Sequence, residues 1–289
     1  MSSAPAVSTR LRSHFARQVA IVTGAASGIG CALAEALARS EAIVILADIQ
    51  AARLEAVVAA LAATGATVRG VVVNVADFSA VDRLVADVYA REGRLDFLFN
   101  NAGIAIGGGA HHFQIEDWKR VLDINLGGVV NGVQAAYRRM AAQGSGHIVN
   151  TASTVGLVPS GRSVAYTTSK HAIVGLSTSL RAQAQMHGVK VTVLCPGVVQ
   201  TDLLTGHASG KELVPLTDEE NAKLIHALRP VAPEIFAQHA LEAVRKNRPI
   251  YVQGAMTRMI WWIYRLAPNW GIRVDHALLQ ASPLAKTLK

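Results

Sequence analysis

The 289-residue chain has little cysteine and no long apolar run. Its two cysteines, Cys31 and Cys195, are too few for a disulfide framework, and each lies in an apolar segment where a buried thiol is the ordinary outcome. No run approaches the ~20 apolar residues of a transmembrane helix. These absences favour a cytoplasmic protein in a reducing compartment, and a hydrophobic content of 51% is enough for a substantial core.

Acidic residues are also scarce, with 20 against 28 lysines and arginines and a formal net charge of +8. The positive excess lies at the two ends of the chain, in residues 1–17 and in residues 255–289, where Asp275 is the one acid. Because the body between them is close to neutral, the composition does not predict a nucleic-acid partner.

Metal-ligand spacings of the HExxH or Cys-x-x-Cys type are absent as well. The pair His111 and His112 lies in the glycine-rich segment IGGGAHHF, which is typical of a loop. Contact at the rim of a pocket is the alternative role for these histidines. The sequence therefore predicts no metal site.

From Gln18 onward, short apolar runs alternate with helix-length segments. The runs are QVAIV, AIVILA, TVRGVVV and FLFN, and the segments between them include 28–39, 51–63 and the stripe Val81, Leu84, Val85, Val88. This alternation predicts an α/β protein with a single-domain, Rossmann-type doubly wound parallel sheet and helices on both faces. We expect the domain over residues 18–252, after a flexible basic leader (1–17) for which organelle targeting is the alternative, and before an aromatic and basic extension (253–289).

A glycine-rich turn joins the first predicted strand to the first helix. It contains Gly24, Ser27, Gly28, Ile29 and Gly30. Glycines there let the backbone approach a pyrophosphate, and a helix N-terminus supplies free N–H groups and a positive dipole end. The spacing G-x-x-x-G-x-G differs from the usual G-x-G-x-x-G fingerprint, so a plain tight turn is an equal alternative from this motif alone.

Asp48 ends the second predicted strand and is followed by Ile49 and Gln50. A carboxylate at this place can accept hydrogen bonds from both ribose hydroxyls and repels a 2′-phosphate. N-capping of the next helix is a second role, which does not exclude the first. With no basic residue directly after it, Asp48 favours NAD over NADP.

Tyr166 and Lys170 are one helical turn apart and share a helix face if their segment is helical. A neighbouring ammonium favours the ionised form of a phenol, whose pKa is otherwise near ~10, so we expect the pKa of Tyr166 to be lowered toward working pH. Ser153 follows an apolar run and is expected at a strand end, where its hydroxyl can hold a substrate oxygen. An ordinary surface pair is the alternative for the Tyr-x-x-x-Lys motif alone.

Taken together, these motifs resemble those of the short-chain dehydrogenase/reductase family, in its single-domain branch, over about residues 18–252. The resemblance rests on order and spacing: the Thr-Gly-x-x-x-Gly-x-Gly turn, Asn74-Val-Ala-Asp77, Asn100-Asn101-Ala102-Gly103, Asn125, Ser153, Tyr166-x-x-x-Lys170 and Pro196-Gly197.

The resemblance implies an NAD-dependent oxidoreductase that interconverts an alcohol and a ketone, with Tyr166 as acid and base and Ser153 positioning the oxygen. It implies that Lys170 binds the nicotinamide ribose and that Asn125 holds a relay water; without the resemblance, a buried asparagine satisfied by backbone is the simpler reading. Cofactor contacts are implied for Asp77, Asn101, Ala102, Gly103, Pro196, Gly197, Val199 and Thr201. The alternatives are an NADP-dependent carbonyl reductase and a non-catalytic dinucleotide sensor.

Around the place where a substrate would bind, the sequence predicts an apolar mouth lined by Ile104, Ile106, Leu157, Val158, Pro159, Val198 and Val199. Residues 202–232, with leucines among glycine and proline, are expected to form a lid over it. We therefore expect a lipophilic secondary alcohol or ketone, although Arg162 leaves an acidic substrate open.

Three of the four tryptophans lie in the extension, together with Arg258 and Arg265. Such a helix can cover the substrate mouth, pack on another subunit or make peripheral contact with a membrane. The family resemblance also implies a homodimer or homotetramer, for which we expect an interface built from Val129, Val133, Ala136, Ala172, Leu176 and Leu180.

Overall fold

The structure is a computed structural model that describes residues 7–205, 210–214, 217–281, 285 and 288. The strands in these residues are β1 (Val19–Thr23), β2 (Ile43–Asp48), β3 (Val68–Val72), β4 (Phe97–Asn100), β5 (Ala105–Gly107), β6 (Gly146–Thr151), β7 (Val189–Cys195), β8 (Gly210–Glu212) and β9 (Ile250–Val252).

The helices alternate with the strands. They are α1 (Thr9–Phe15), α2 (Gly28–Arg39), α3 (Ala51–Ala62), α4 (Phe78–Glu92), α5 (Ile115–Leu122), α6 (Gly128–Gln143), α7 (Val164–Ala184), α8 (Asp202–Thr205), α9 (Asp218–Leu228), α10 (Pro233–Arg245), α11 (Ala255–Leu266) and α12 (Pro268–Ala281). A π-helical turn, Asp123–Gly127, joins α5 to α6.

Seven strands form one parallel sheet in the order β3-β2-β1-β4-β6-β7-β9. The strand order reverses between β1 and β4, and ligands of open α/β sheets bind at the carboxyl edge of such a point. Every residue of β1 and β4 is buried, as expected for strands covered by helices on both faces. The predicted fold class is confirmed.

Two apolar layers sandwich the sheet. On one face, α2 and α10 pack together through side chains that include Leu33, Leu37, Phe236 and Leu241. On the other face, α4, α6 and α7 contribute Val85, Met140 and Ala184, among others, to a second cluster. The helices therefore hold the carboxyl edge of the sheet from both sides, which fixes the loops that leave it.

Residues 7–17, the described part of the predicted leader, differ from the flexible segment that their composition predicted. Residues 9–15 form α1, whose N-cap Ser8 accepts a hydrogen bond from the Leu11 amide. Leu11 and Phe15 are buried, and the Phe15 ring lies 5.0 Å from that of Phe97. The physical reason is the spacing of these two apolar residues, one turn apart on a short helix, which composition alone does not reveal.

The α6 residues expected at a subunit interface are instead in the core of the protomer. Val129 and Ala136 are buried, and Val133 packs against the core clusters. These positions follow the i, i+4, i+7 stripe that a covering helix turns toward its sheet. The predicted interface residues of α6 are therefore wrong. The large apolar side chain that α6 exposes is Val130.

The predicted lid contains three described elements, α8, β8 and α9, whereas residues 206–209 and 215–216, including Leu216, lie outside the described residues. Strand β8 pairs in parallel with β5. Two ion pairs fix it further, from Glu212 to Arg162 at 2.6 Å and from Lys211 to Asp117 at 3.0 Å. At the start of the predicted lid, Asp202 of α8 forms an ion pair with Arg53 of α3 at 2.6 Å.

The C-terminal extension forms α11 and α12, which pack against each other. Trp261 contacts the core cluster around Ile173 and Val252, and Asp275 accepts a hydrogen bond from the Gly161 amide at 3.0 Å. The hairpin is thus attached to the loop between Ser153 and Tyr166. Among the described helices, none is long and apolar enough to cross a membrane.

We predict that Phe15→Ala lowers the free energy of unfolding by about 3 kcal/mol, because it removes a fully buried aromatic ring. Urea unfolding followed by circular dichroism measures the change. Ser13→Ala, at an exposed position of the same helix, is the control and should shift stability by less than about 0.5 kcal/mol. Equal effects of the two substitutions would contradict the assignment of α1 to the core.

Candidate active site at the carboxyl edge of the sheet

The glycine turn leaves no room for side chains at three positions. Gly24 and Gly28 have φ of +68° and +54°, which favours glycine. A Cβ on Gly24 would lie 2.8 Å from the Ala102 Cα, and one on Gly30 would lie 2.0 Å from the Gly24 carbonyl oxygen. A Cβ on Gly28 would meet the Thr201 side chain at 2.9 Å. The turn therefore brings bare backbone close to the segments that follow β4 and β7.

Helix α2 begins directly after this turn. Ser27 is its N-cap in extended conformation, and the Ser27 side chain makes no capping hydrogen bond to the helix. Ile29 turns its side chain toward the core beneath the sheet. The first amides of α2 are thus presented at the sheet edge without a side-chain cap, which suits an anionic group.

Asp48 holds the turn in place. Its two carboxylate oxygens accept hydrogen bonds from the amides of Ala26 and Gln50, each at 2.9 Å, and the residue is 7% exposed. The N-cap of α3 is Gln50, so Asp48 does not cap that helix as the alternative role required. Each carboxylate oxygen keeps a further acceptor site. Ile49 beside it is 62% exposed.

Thr23 connects the turn to the segment after β4. Its hydroxyl oxygen accepts hydrogen bonds from the amides of Asn101 at 2.9 Å and Ala102 at 3.1 Å. The Asn101 side-chain amide donates back to the Thr23 carbonyl at 3.1 Å. A Cβ on Gly103 would lie 3.1 Å from the Asn125 Oδ1 and 3.6 Å from the Lys170 Nζ. This segment therefore links the glycine turn to the predicted catalytic residues.

The segment after β7 closes the other side. The Gly197 amide, next to Pro196, donates to the Gln253 side chain at 2.9 Å, and Thr201 lies against Gly28. Val199 is buried in the core, so its side chain is turned away from the edge.

Asp77 caps α4 by accepting a hydrogen bond from the Ala80 amide at 3.2 Å, and is itself exposed.

Lys170 is a buried cation at the centre of the site, with 3% exposure. Its Nζ donates a hydrogen bond to the Thr151 carbonyl oxygen at 2.9 Å, at the end of β6. The same atom lies 5.3 Å from the centroid of the Tyr166 ring. The helix spacing of the two residues therefore produces the shared volume that the sequence predicted, and the ordinary surface pair does not apply.

The expected direction of the Tyr166 shift is wrong. Burial raises the pKa of the phenol to about 12, and the hydrogen bond with Ser153 lowers it by less. Burial also lowers the pKa of the Lys170 ammonium to about 8. Desolvation disfavours the charged form of each group and is the largest cause of both shifts. Burial therefore favours the neutral phenol of Tyr166 and makes the Lys170 ammonium easier to deprotonate than an ordinary lysine.

Asn125 lies on the π-helical turn and is fully buried. Its Oδ1 accepts from the Ile104 amide at 2.8 Å, while its Nδ2 donates to the Ile104 carbonyl at 3.0 Å and to Ser169 Oγ at 3.1 Å. The side chain thus has backbone and hydroxyl partners, as the simpler reading held. Single π turns inside helices are frequent at functional sites, and this one gives Asn125 its inward direction.

Several residues expected around a substrate mouth are core residues instead. Ile106, Leu157 and Val199 are buried in apolar clusters. They are unavailable because each side chain packs into one of the apolar clusters of the core. Partial exposure remains at Ile104, Val158, Pro159 and Val198. The histidines His111 and His112 lie in a short 3-10 turn, with ring centroids 4.0 Å apart.

Three contributors to the site were not singled out by sequence reasoning. Thr23 is a polar residue at the end of an apolar strand, and that position was the available signal. Gly156 allows α7 to approach, since a Cβ there would lie 2.6 Å from the Lys170 carbonyl oxygen. Thr151 contributes its backbone oxygen, for which side-chain identity gives no signal.

The strand order and the glycine turn define the doubly wound, dinucleotide-binding class of α/β proteins. A family model described as short chain dehydrogenase matches residues 18–212. This chain belongs to the short-chain dehydrogenase/reductase family, as the motifs predicted.

Individual relatives support the same assignment. The chain is 37% identical over 271 residues to the probable oxidoreductase EphD of Mycobacterium tuberculosis, covering 90% of this chain and 45% of that protein. It therefore spans about half the length of that relative. It is 41% identical over 190 residues to D-threitol dehydrogenase of Mycolicibacterium smegmatis, covering 66% of this chain and 72% of that enzyme.

Among solved structures, a short chain dehydrogenase/reductase from Burkholderia phymatum in complex with NAD superposes with a TM-score of 0.78. The two chains are 31% identical, and the match covers 88% of this chain and 96% of the other. The likeness thus extends well beyond the motifs themselves.

We predict that Lys170 loses its proton near pH 8, well below an ordinary lysine, because burial penalises the ammonium. The measurement is a pH titration of lysine side chains by nitrogen-15 NMR. Lys170→Met is the control and should remove the signal that titrates early. If every lysine signal titrated above pH ~10, the buried environment described for Lys170 would be incorrect.

Proposed function

We propose that this chain is an NAD-dependent oxidoreductase that interconverts a lipophilic secondary alcohol and its ketone. The observation that carries the proposal is that buried Lys170 and Ser153 meet the partly buried Tyr166 beside a glycine turn in which only bare backbone fits. A non-catalytic dinucleotide-binding protein has no need of a proton donor at that position.

The residues present are suited to a dinucleotide. The three glycines form a cradle that a Cβ would fill, and the uncapped start of α2 offers amides to a pyrophosphate. Asp48 has acceptor sites left for ribose hydroxyls, and Ile49 offers an exposed apolar surface to an adenine. Asp77, Asn101, Ala102, Gly103 and the stretch from Pro196 to Thr201 complete the proposed contacts.

When bound, the cofactor would supply the hydride donor or acceptor. The protein's own residues handle the proton. Tyr166 donates its phenolic proton to the substrate oxygen during reduction and takes one back during oxidation. Ser153, whose hydroxyl lies close enough to the phenol to lower its pKa, orients that oxygen.

Lys170 lowers the cost of the transient phenolate. The Lys170 Nζ lies 5.3 Å from the centroid of the Tyr166 ring, and attraction between opposite charges is stronger in a protein interior than in water. Asn125 fixes the backbone at Ile104 and contacts Ser169 on α7, which keeps that helix in register. Its proposed part in a proton relay follows from the family resemblance.

The substrate is proposed to be lipophilic and uncharged. Arg162, the cation within the Ser153–Tyr166 loop, is paired with Glu212 of β8. It is therefore engaged in holding the lid segment and is less available to an acidic substrate. The partly exposed side chains near the site, such as Ile104 and Val158, are apolar.

We also propose that the protein forms a homodimer or homotetramer through α6 and α7. Val130 on α6 is an exposed apolar residue, and a Cβ on Gly175 of α7 would meet nothing within 4 Å. These positions leave the outer faces of both helices open to a second copy.

We predict that Tyr166→Phe reduces turnover by roughly 10³-fold while dinucleotide binding stays within a few-fold of the wild type. The phenyl ring keeps the packing and loses the transferable proton. NAD reduction over a panel of hydrophobic alcohols and NAD titration by calorimetry measure the two effects. Tyr89→Phe, on the distant helix α4, is the matched control. Turnover retained within tenfold in the Tyr166 variant would refute the assignment.

We predict that NAD binds at least about tenfold more tightly than NADP, because the Asp48 carboxylate repels a 2′-phosphate. Asp48→Asn should bring the affinities for NAD and NADP closer together, because the negative charge is lost. The side-chain oxygen of the introduced asparagine can still accept the hydrogen bond from the Ala26 amide, so the turn keeps this contact. Separate titrations with the two cofactors give the ratio. Tighter NADP binding by the wild type would overturn the assigned preference.

A further inference from the structure

Helix α11 carries its apolar face outward. Met256, Met259, Ile260 and Leu266 lie on one side of the helix by their spacing, with Trp262 at its edge. All five are exposed, with Met256 at 64%, Trp262 at 57% and Leu266 at 82%. A helix that packs on a water-soluble core normally turns this side inward, so the face requires a partner.

The helix is nevertheless held firmly on the body of the protein. Trp261, on the opposite side from Met259 and Ile260, packs against the core cluster that contains Ile173 and Val252. Helix α12 packs against α11 and is tied to the loop at Gly161 through Asp275. The outward direction of the apolar face is therefore set by these contacts.

Arginines flank the apolar face. Arg265 lies over the rings of Trp261 and Trp262, at 5.5 and 5.6 Å from their centroids. Arg258 lies on the first turn of α11, where its guanidinium donates a hydrogen bond to the Val252 carbonyl oxygen at 3.3 Å, and Arg273 is exposed on α12. Asp275 is the one acidic residue between 253 and 281, and it already accepts the Gly161 amide. The hairpin is therefore basic as well as apolar.

From this geometry we propose that the α11–α12 hairpin is a docking surface for an anionic lipid bilayer. An apolar helix face with tryptophan and a rim of arginine is the composition of a helix that lies in the membrane interface. The arginines would contact lipid phosphates while the apolar side chains enter the boundary of the acyl chains. Exposed Trp270 and Ile272 of α12 add to the apolar surface.

A second copy of the chain suits this surface less well. In a two-fold contact the same patch meets itself, which would bring Arg258 and Arg265 toward their own equivalents with no free carboxylate in the hairpin to compensate. An anionic bilayer neutralises the same charges. The charge pattern therefore favours lipid over self-association.

The test is flotation of the full chain with vesicles of phosphatidylcholine alone and of phosphatidylcholine with phosphatidylglycerol at about three to one. We expect binding to the anionic vesicles, weakened by high salt. The double substitution Ile260→Glu, Leu266→Glu should reduce binding by more than about tenfold, because it places charge in the inserted face. Arg265→Gln should reduce it about fivefold.

Met186→Glu is the control, since Met186 is as exposed as Leu266, at 81% against 82%, but lies outside the hairpin. It should bind as the wild type does. Because three of the four tryptophans are in the hairpin, a blue shift of fluorescence on adding anionic vesicles is expected as well. These readouts do not use turnover, so they are independent of the proposed reaction.

Any of three results would overturn the proposal. The first is a failure of the full chain to bind anionic vesicles, and the second is equal binding by the double variant and the Met186 variant. The third is a change of oligomeric state in the double variant, measured by light scattering, which would assign the face to a second copy.

Discussion

The hydrogen bond from the Lys170 ammonium to the Thr151 carbonyl oxygen is the interaction on which the site depends. It joins the middle of α7 to the end of β6, inside a region from which water is largely excluded. A buried cation needs such a partner, because leaving it without one costs several kcal/mol. Ser153 follows Thr151 by two residues and Tyr166 precedes Lys170 by one helical turn, so this link brings their two segments together.

The close approach of α7 also requires small residues around it. Gly156 allows the backbone of Lys170 to come near, and Gly103 leaves space beside Asn125 and the lysine Nζ. Similar restrictions act at the glycine turn, where Gly24 and Gly30 permit contact with the segment after β4. The glycine turn and the Lys170–Tyr166 pair are thus joined by backbone packing through Asn101 to Gly103.

The site and the hairpin are coupled through a single loop. Gly161, between Ser153 and Tyr166, donates to Asp275 of α12, while Arg162 beside it pairs with Glu212 of the lid segment. The loop is therefore fixed from two directions by elements that lie outside the parallel sheet. This arrangement connects β8 and α12 physically to the loop that separates Ser153 from Tyr166.

Local patterns in the sequence were sufficient for the strands, the covering helices and the spacing of Tyr166 and Lys170, because periodicity and helix geometry act over a few residues. They also identified Asp48 at a strand end and the glycine turn. They were insufficient for α1, whose helix is stabilised by Phe97 from far along the chain. The prediction of a subunit interface at Val129 and Ala136 was wrong for the same reason, since their burial depends on which face of α6 meets the sheet.

What the sequence determined by itself was the order of the elements and the residue types at the carboxyl edge of the sheet, since both follow from local pattern. Tertiary structure alone decided the electrostatics: burial raises the pKa of Tyr166 and lowers that of Lys170, in opposition to the local expectation for the phenol. It also decided that α11 turns its apolar side outward. Desolvation and exposure depend on what surrounds a residue, and those surroundings come from parts of the chain far from it.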